Sequence, residues 1–368
     1  MLSNNELLHV LALQRVPNLG DSSAKKLIHV VGSAEGVFNE RKSNLLRIEG
    51  IGSWKLQDLD LKPLLPQVEE ELKFIQDQEI AWSYFLDKDY PELLKHCLDG
   101  PILFFRKGNI DLVGKRVISI VGTRRLTTAG MQFCEQLVEE LKPFNPVIVS
   151  GFAHGADICA QKAAIRNGLQ TIGCLAHGLN QIYPREHEKY IGPVVQNGGF
   201  ITEFWSDDPF ERTNFLKRNR IIAGLSEATI VIESAAKGGS LVTADIANSY
   251  NREVFAVPGR PSNKQSRGCN DLIKNHKACL LQSADDLVFQ LGWEQENAPL
   301  ANRQTELFVT LSEEEKTIWK FLESRELEQL DQIALECKLP TFKVASLLLS
   351  LEIKGYVRPL PGKLFQLV

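Results

Sequence analysis

The sequence predicts an α/β protein built on a doubly wound, mostly parallel sheet, and three observations carry that expectation. Short β-branched apolar runs alternate with helix-period segments from about residue 80 to residue 295. The conspicuous glycine-rich and polar loops all fall at the carboxyl ends of those runs, where open α/β sheets bind ligands. At 368 residues the chain also exceeds one such core, and different patterns flank it on both sides. The expected organisation is a helical domain over 1–72, the sheet domain over 73–295, a linker over 296–310 and a small domain over 311–368.

In chain order, strands are expected at Ala81–Leu86, Ile102–Phe105, Val117–Val121, Val147–Ser150, Thr171–Leu175, Phe200–Phe204, Thr229–Glu233, Glu253–Val257 and Cys279–Gln282. Helical patterns lie between them at Gln132–Leu141, Ile158–Asn167, Phe215–Gly224 and Val242–Tyr250.

Charge is nearly balanced at net −4, so a polyanion must be held by a local patch. The seven cysteines are scattered without a C-x-x-C pair, which suits buried thiols in a reducing cytoplasm and argues against a zinc site. No signal-peptide pattern and no apolar run of membrane length is present, so a soluble, cytoplasmic protein without membrane contact is expected.

The most informative stretch is Val117–Gly130, an apolar run that breaks into Gly122-Thr123-Arg124-Arg125 and resumes as a helix. A strand entering a helix through a glycine turn leaves backbone N–H groups unpaired where an anion can sit. Two arginines there add fixed charge and forked donors suited to phosphate. A dinucleotide is disfavoured. The turn is not G-x-G-x-x-G, and the next strand ends in Ser150-Gly151 without an acidic residue for a ribose. No G-x-x-x-x-G-K-[ST] loop is present for a nucleoside triphosphate.

Other loops point to the same crevice. Ser150–Asp157 follows the Val147 run, and Glu233–Ser240, then Thr243, follows the Thr229 run. Pro258–Asn270 follows the Glu253 run. Gly238-Gly239-Ser240 at the opening of a helix forms a second anion nest. Lys217-Arg218-Asn219-Arg220 lies on a helix, and the spacing of three puts Lys217 and Arg220 on one side. His154 and Asp157 lack a nucleophile fixed beside them, and His177 and His187 lack metal-ligand companions. Glu203 and Glu233 end neighbouring strands, but two carboxylates lining a phosphate crevice would repel the ligand, so capping or pairing with arginine is expected. No constellation demands chemistry, so no catalytic residue, cofactor or metal is expected.

The first seventy residues repeat a helix–turn–helix pattern, once around Arg15–Gly20 and again around Ile48–Gly52. Such hairpins resemble the tandem helix-hairpin-helix fold, which offers hairpin amides to a DNA backbone. The second hairpin is the better match, because Asn18 stands where the first would carry glycine. A protein-contact module on the same fold has nearly equal weight. In the tail, Ser312–Leu322 reads as a helix with Ser312 and Glu315 forming a capping box. Leu330–Glu336, Thr341–Leu351 and a hairpin turned at Pro361-Gly362 follow, and together they resemble a winged helix. Its recognition-position helix carries one lysine and much leucine, which fits a protein contact rather than base readout.

The loops Gly122–Gly130, Ser150–Asp157, Phe215–Gly224, Lys237–Thr243 and Pro258–Ile273, in that order between those flanking modules, resemble the DprA (Smf) family over essentially the whole chain. The resemblance implies an extended Rossmann-like core and a DNA-processing role in natural transformation. It implies binding and protection of incoming single-stranded DNA, loading of a RecA-type recombinase, and a homodimer formed through the core. The family's G-S-R-x-x-S-x-x-G motif falls on Gly122, Thr123, Arg124, Thr127 and Gly130. Its basic residues fall on Lys217, Arg218 and Arg220, and its double-glycine nest on Gly238, Gly239 and Ser240. Some members carry Lys or Arg at the place of His154. Arg125, Ser150, Gly151, Asn219 and Thr243 complete the set expected at the single strand.

Two other readings stand beside it. One is a nucleotide phosphoribohydrolase-type enzyme, whose P-G-G-x-G-T-x-x-E pattern is only partly met because Asp245 stands displaced where the glutamate belongs. The other confines DNA contact to the N-terminal hairpins.

Overall fold

Apolar side chains on both faces of a β-branched run leave a strand no solvent-facing side, so such runs pair in parallel beneath helices. The computed structural model describes residues 2–293, 311–323, 325, 327–354, 356–360 and 364–367. These divide into two compact units, Met1–Glu296 and Asn297–Val368. The expected linker 296–310 lies outside the described residues.

The first unit begins with α1 (Asn4–Arg15), α2 (Asp21–Val31), α3 (Ala34–Asn39), α4 (Lys42–Leu45) and α5 (Leu65–Asp77). Ser3 caps α1 by accepting from the Glu6 amide at 3.1 Å. The turn between α1 and α2 passes through Asn18 at φ 63, a left-handed position that asparagine tolerates better than most residues. The repeat is real but unequal. The second hairpin, expected to be the better match, joins the four-residue α4 to a single 3-10 turn at Ser53–Lys55. The first is therefore the one that folds as two full helices. Ile48–Gly52 matches a hairpin, but it is followed by Trp54 and by the turn residues around Asp58 and Asp60 instead of a helix-period stretch.

Nine strands follow: β1 (Ala81–Tyr84), β2 (Leu103–Gly108), β3 (Val117–Val121), β4 (Val147–Ser150), β5 (Thr171–Cys174), β6 (Gly198–Thr202), β7 (Ala228–Val231), β8 (Glu253–Ala256) and β9 (Cys279–Leu280). Their order across the sheet is β1-β2-β6-β5-β4-β3-β7-β8-β9. β1 and β2 pair antiparallel, β2 pairs antiparallel with β6, and the remaining pairs are parallel. The stretch β5-β4-β3-β7-β8-β9 has the doubly wound Rossmann order. Side chains alternate between two cores: Ile118, Ile120, Ile148 and Ile230 pack on one face, and Val117, Val121, Val149 and Val231 on the other.

The crossover helices between parallel strands and from β6 to β7 are α7 (Thr128–Glu140), α8 (Ala156–Arg166), α9 (Glu188–Gln196), α10 (Arg212–Leu225), α11 (Gly239–Ser249) and α12 (Arg267–Lys274), with the short α6 (Glu92–Lys95) between β1 and β2 and α13 (Ala284–Gln290) after β9. Two departures from the sequence expectation have physical causes. β6 starts at Gly198, because Gly198 and Gly199 lie so close to Thr171 and Lys107 of neighbouring strands that a Cβ would meet their carbonyl oxygens at 2.2 and 2.1 Å. Reading only apolar side chains shifts that strand toward Phe204. α9 contains Gly192 and Pro193, and α12, which closes the loop expected to run through Asn270, contains Gly268, Asn270 and Asp271; all are residues of low helix propensity.

The second unit comprises α14 (Glu313–Glu323), β10 (Glu328–Gln329), α15 (Leu330–Glu336), α16 (Thr341–Ile353), β11 (Val357–Leu360) and β12 (Leu364–Leu367). The strands form a sheet ordered β10-β12-β11. Ile318, Leu322, Ile333, Val344, Leu348, Leu351 and Val357 form its core. The Ser312–Glu315 capping box closes in both directions, at 3.2 and 2.7 Å. The hairpin turn expected at Pro361-Gly362 lies outside the described residues. No described helix is long and apolar enough to cross a membrane.

Candidate nucleic-acid interface

After β3 the chain winds outward through β4, β5 and β6, then returns to the other side of β3 as β7. Loops leaving the carboxyl ends of β3 and β7 therefore diverge and open a crevice at the switch point. A cavity of about 290 Å³ lies there. It is lined by Gly122, Thr123 and Arg124 after β3, Asp157 after β4, Phe215, Arg218 and Asn219 on α10, and Lys237, Gly238, Gly239, Ser240 and Thr243 at the start of α11.

The two helix starts flanking the crevice differ. The anion expected at the helix following Gly122 is the protein's own Glu233. Its carboxylate accepts from the Thr127 amide at 2.9 Å and from the Thr127 hydroxyl at 2.6 Å. Thr127 in turn caps α7, its Oγ1 accepting from the Gly130 amide at 3.1 Å. The amide of Thr123 donates to the Glu233 carbonyl at 2.7 Å. Thr127 and Gly130 thus build the turn and do not line the cavity. The start of α11 is different: Gly238 at its N-cap offers no side-chain acceptor, and although the Leu241 amide bonds back to the Gly238 carbonyl at 3.2 Å, the Gly239 and Ser240 amides remain available to a ligand. Ser240 donates to Ser234 at 3.0 Å and Thr243 to the Gly239 carbonyl at 3.4 Å, holding this turn.

On α10 the four-residue polar run divides between two faces, as a rotation of about 100° per residue requires. Arg218 and Asn219 face the crevice. Arg218 is 4 % exposed, and its Nη1 donates to the Cys174 carbonyl at 3.0 Å. Burial lowers its pKa, while Asp157 beside it favours the charged form. Burial likewise raises Asp157, against the pull of Arg218 and of the amides that donate to it. Gly151 makes room for this buried guanidinium: a Cβ there would lie 1.8 Å from Arg218 Nη1. Gly155 is required for a related reason. It sits at φ +76, and a Cβ would meet the Thr123 carbonyl oxygen at 2.2 Å.

Lys217 and Arg220 share the other face, as expected from their spacing, but that face borders a separate cavity of about 550 Å³ against α1 and α2. Arg220 pairs there with Asp21 at 3.0 Å and with Glu203. Burial disfavours its charge, but the two carboxylates outweigh burial and hold the pKa above its ordinary value. The basic stripe expected to track phosphates is thus split, and Arg220 is committed to an internal ion pair. Ser150 is buried, donating to the Ile120 carbonyl at 2.6 Å. Arg125 is exposed outside the cavity lining. His154 is also outside it, 3.9 Å from Glu186 and stacked edge-on against His187.

Of the aromatics near these loops, Phe152 is core at 2 % exposure. Phe215 forms a cavity wall beneath the Arg124 guanidinium, 5.3 Å from its ring centre. Phe210 and Tyr183 continue that wall, with centroids 5.5 and 5.8 Å from Phe215. Sequence reasoning missed Tyr183, because no pattern links it to α10, and it left Lys237 out of the site although that residue precedes the double glycine. Asp245 pairs with Lys277 at 2.8 Å and does not line the crevice. Among the described residues no group of three or more His, Cys, Asp or Glu is placed to hold a metal ion.

Residues 82–292 match the family described as DNA recombination-mediator protein A, and residues 303–363 match the DprA winged helix domain. Protein Smf of Synechocystis is 30% identical, covering 99% of this chain and 100% of the relative. DNA processing protein DprA of Bacillus subtilis is 36% identical over 63% of this chain and 78% of its own. The X-ray structure of DprA from Streptococcus pneumoniae superposes with a TM-score of 0.67 at 28% identity, covering 79% of this chain and 99% of that one. A DprA structure from Helicobacter pylori, reported for its single-stranded DNA binding mode, gives 0.52 at 30% identity over 57% of this chain and 95% of that one. With the doubly wound sheet, the crevice at its switch point and the C-terminal winged helix in place, the chain belongs to the DprA/Smf family of DNA-processing recombination mediators.

Proposed function

We propose that the chain binds single-stranded DNA in the crevice at the switch point and passes it, as a homodimer, to a RecA-type recombinase. One observation carries the DNA reading. Arg124, Lys237, the buried Arg218 and the uncapped start of α11 converge on one cavity with an aromatic wall. Phosphate neutralised by arginine and helix amides, with bases on adjoining rings, is the chemistry of sequence-tolerant single-strand binding. Recombinase loading and the dimer rest on family membership. In this reading the working contacts are Gly122, Thr123, Arg124, Arg218, Asn219, Lys237, Gly238 and Gly239. Ser150, Gly151, Thr127 and Gly130 shape the loops beneath them.

The phosphoribohydrolase alternative lacks its carboxylate, since Asp245 is engaged at the surface by Lys277. Fluorescence anisotropy of a labelled single strand and its duplex, over a salt series, tests the proposal. Tight single-strand binding that weakens steeply with salt, with much weaker duplex binding, is the expected result. Equal binding of both forms, or none, overturns it.

A further inference from the structure

The β1 edge of the sheet lies five strands from β3 and carries a cavity of its own, which shares no residue with the lining of the crevice. It encloses about 300 Å³, a volume within the range of small-ligand sites. Its floor is one face of the sheet. Ser83 of β1 stands opposite Phe104 of β2, and Arg106, two residues further on, stands opposite Ile201 of β6, so the four side chains share that face. Residues 88–92, which lead into α6, and residues 110–114, which follow β2, form the walls.

Most of this lining is apolar. Phe104 and Ile201 are fully buried, and the Tyr90 ring lies 5.4 Å from that of Phe104. The Tyr90 hydroxyl is already spent, donating to the Pro101 carbonyl at 2.7 Å. Ile110 and Leu112 are half-buried in the wall above. Two polar atoms break the pattern. Ser83 is 0 % exposed, and among the described residues its Oγ finds no hydrogen-bond partner. The Nε of Arg106 is likewise buried and unpartnered. Buried polar groups are nearly always paired, because an unpaired one forfeits its hydration for nothing. A strand position without exposed surface or internal partner is ordinarily taken by an apolar residue.

The cavity asks for hydrogen bonds rather than for charge. Arg106 already has its counter-ion, since Nη2 lies 3.0 Å from the Asp89 carboxylate. The other charged residues of the lining, Lys88 against Glu92 and Asp111, leave no positive excess for an anion. What stays unmet is one N–H at Arg106 and one hydroxyl at Ser83, which can donate or accept. The two residues are diagonal neighbours across the β1–β2 pair, a separation of about 7–8 Å that a long side chain spans. An amide carries an acceptor and a donor on one carbon. We propose that this cavity binds a small apolar amide, an uncharged molecule with one amide link on an aromatic or hydrocarbon body. The carbonyl oxygen accepts from Arg106 Nε, the amide N–H donates to Ser83 Oγ, and the body lies against Phe104 and Tyr90.

The test uses the full chain and three probes with the same body, followed by ligand-observed NMR titration. N-propylbenzamide has the acceptor and the donor, butyrophenone has the acceptor alone, and N-propylbenzylamine is a cation without a carbonyl. The amide is expected to bind about fivefold more tightly than the ketone, the worth of one hydrogen bond, and the amine not to bind. Ser83→Ala is expected to keep its fold, because it deletes a hydroxyl that bonds to nothing in the protein. In that variant the amide should lose its advantage and bind like the ketone. Leu112→Trp, which fills the cavity from its wall, is expected to abolish binding of both. No binding of the amide to wild-type protein overturns the site. So does equal binding of all three probes, or an amide affinity that neither folded variant changes. Should Leu112→Trp fail to fold, the loss or survival of the amide's advantage in Ser83→Ala decides.

Discussion

Arg124 and Arg218 divide one task between an exposed and a buried guanidinium. Arg124 is open to solvent over Phe215, so Arg124→Ala is expected to leave the melting curve unchanged. It should weaken single-strand binding about tenfold and reduce the slope of log K against log salt by about 0.7, the share of one phosphate contact. Wild-type affinity in the variant would exclude Arg124 as an anchor. Arg218 is buried and its position depends on a missing side chain at Gly151. Gly151→Ala is expected to cost about 1–3 kcal/mol by overpacking, visible as a lower melting temperature, and to weaken DNA binding through the displaced arginine. Such roles are hard to read from a sequence. Gly151 is visible as a loop glycine, but the atom it makes room for comes from a helix more than sixty residues further on.

At the scale of elements, the start of α7 is self-satisfied and the start of α11 is open. Thr127→Ala removes a cap and a hydroxyl bonded to Glu233, which should cost about 1–2 kcal/mol. Its effect on single-strand affinity is expected to be much smaller than that of Arg124→Ala. Affinity lost without a change in melting would make Thr127 a direct contact instead. In the C-terminal unit, hydrogen bonds from Lys354, Ser350 and Ser312 hold the buried Glu315 carboxyl down at about 2. A carboxylate depressed on folding stabilises above its unfolded pKa and loses that contribution as pH falls from about 4.5 toward 2. Glu315→Gln is therefore expected to destabilise this unit by about 2 kcal/mol at pH 6. Calorimetry at pH 6 and pH 2 should show the difference from wild type shrinking with acid; a difference independent of pH would refute the assignment. The capping box was legible because Ser312 and Glu315 are close in sequence. The Lys354 partner was not, since α16 and α14 meet only in the fold.

For the whole molecule, the periodicity of the apolar runs announced the strands and their doubly wound arrangement, because side chains buried on both faces leave a plain β-branched signature. The same periodicity said less where glycines or a proline stand inside elements, as in β6 and α9. It read correctly that Lys217 and Arg220 share a face, but it could not say that the face meets Asp21 of α2. The crevice lies wholly within the first unit. A chain ending at residue 296 is accordingly expected to retain single-strand affinity within about threefold, a small change on the scale of 1.4 kcal/mol per decade. Loss of binding in a folded truncation would move the DNA site, or part of it, to the winged helix.

The N-terminal helices bear on how the protein can be dissected. Leu11, Leu13, Leu27 and Ile28 belong to the same buried cluster as Phe104 and Phe105 of β2. Polar ties reinforce the join: Gln14 donates to the Leu103 carbonyl at 2.9 Å, Arg15 pairs with Asp208 at 2.6 Å, and the carboxylate of Glu71 accepts from the Ser206 amide at 3.1 Å. Removing the first seventy residues to ask whether the hairpins touch DNA would strip this oil from one flank of the sheet, and the loss of binding that followed would report a damaged scaffold. The hairpins are better interrogated by reversing charge where they meet solvent, at Lys42 or Arg47, with the scaffold left whole.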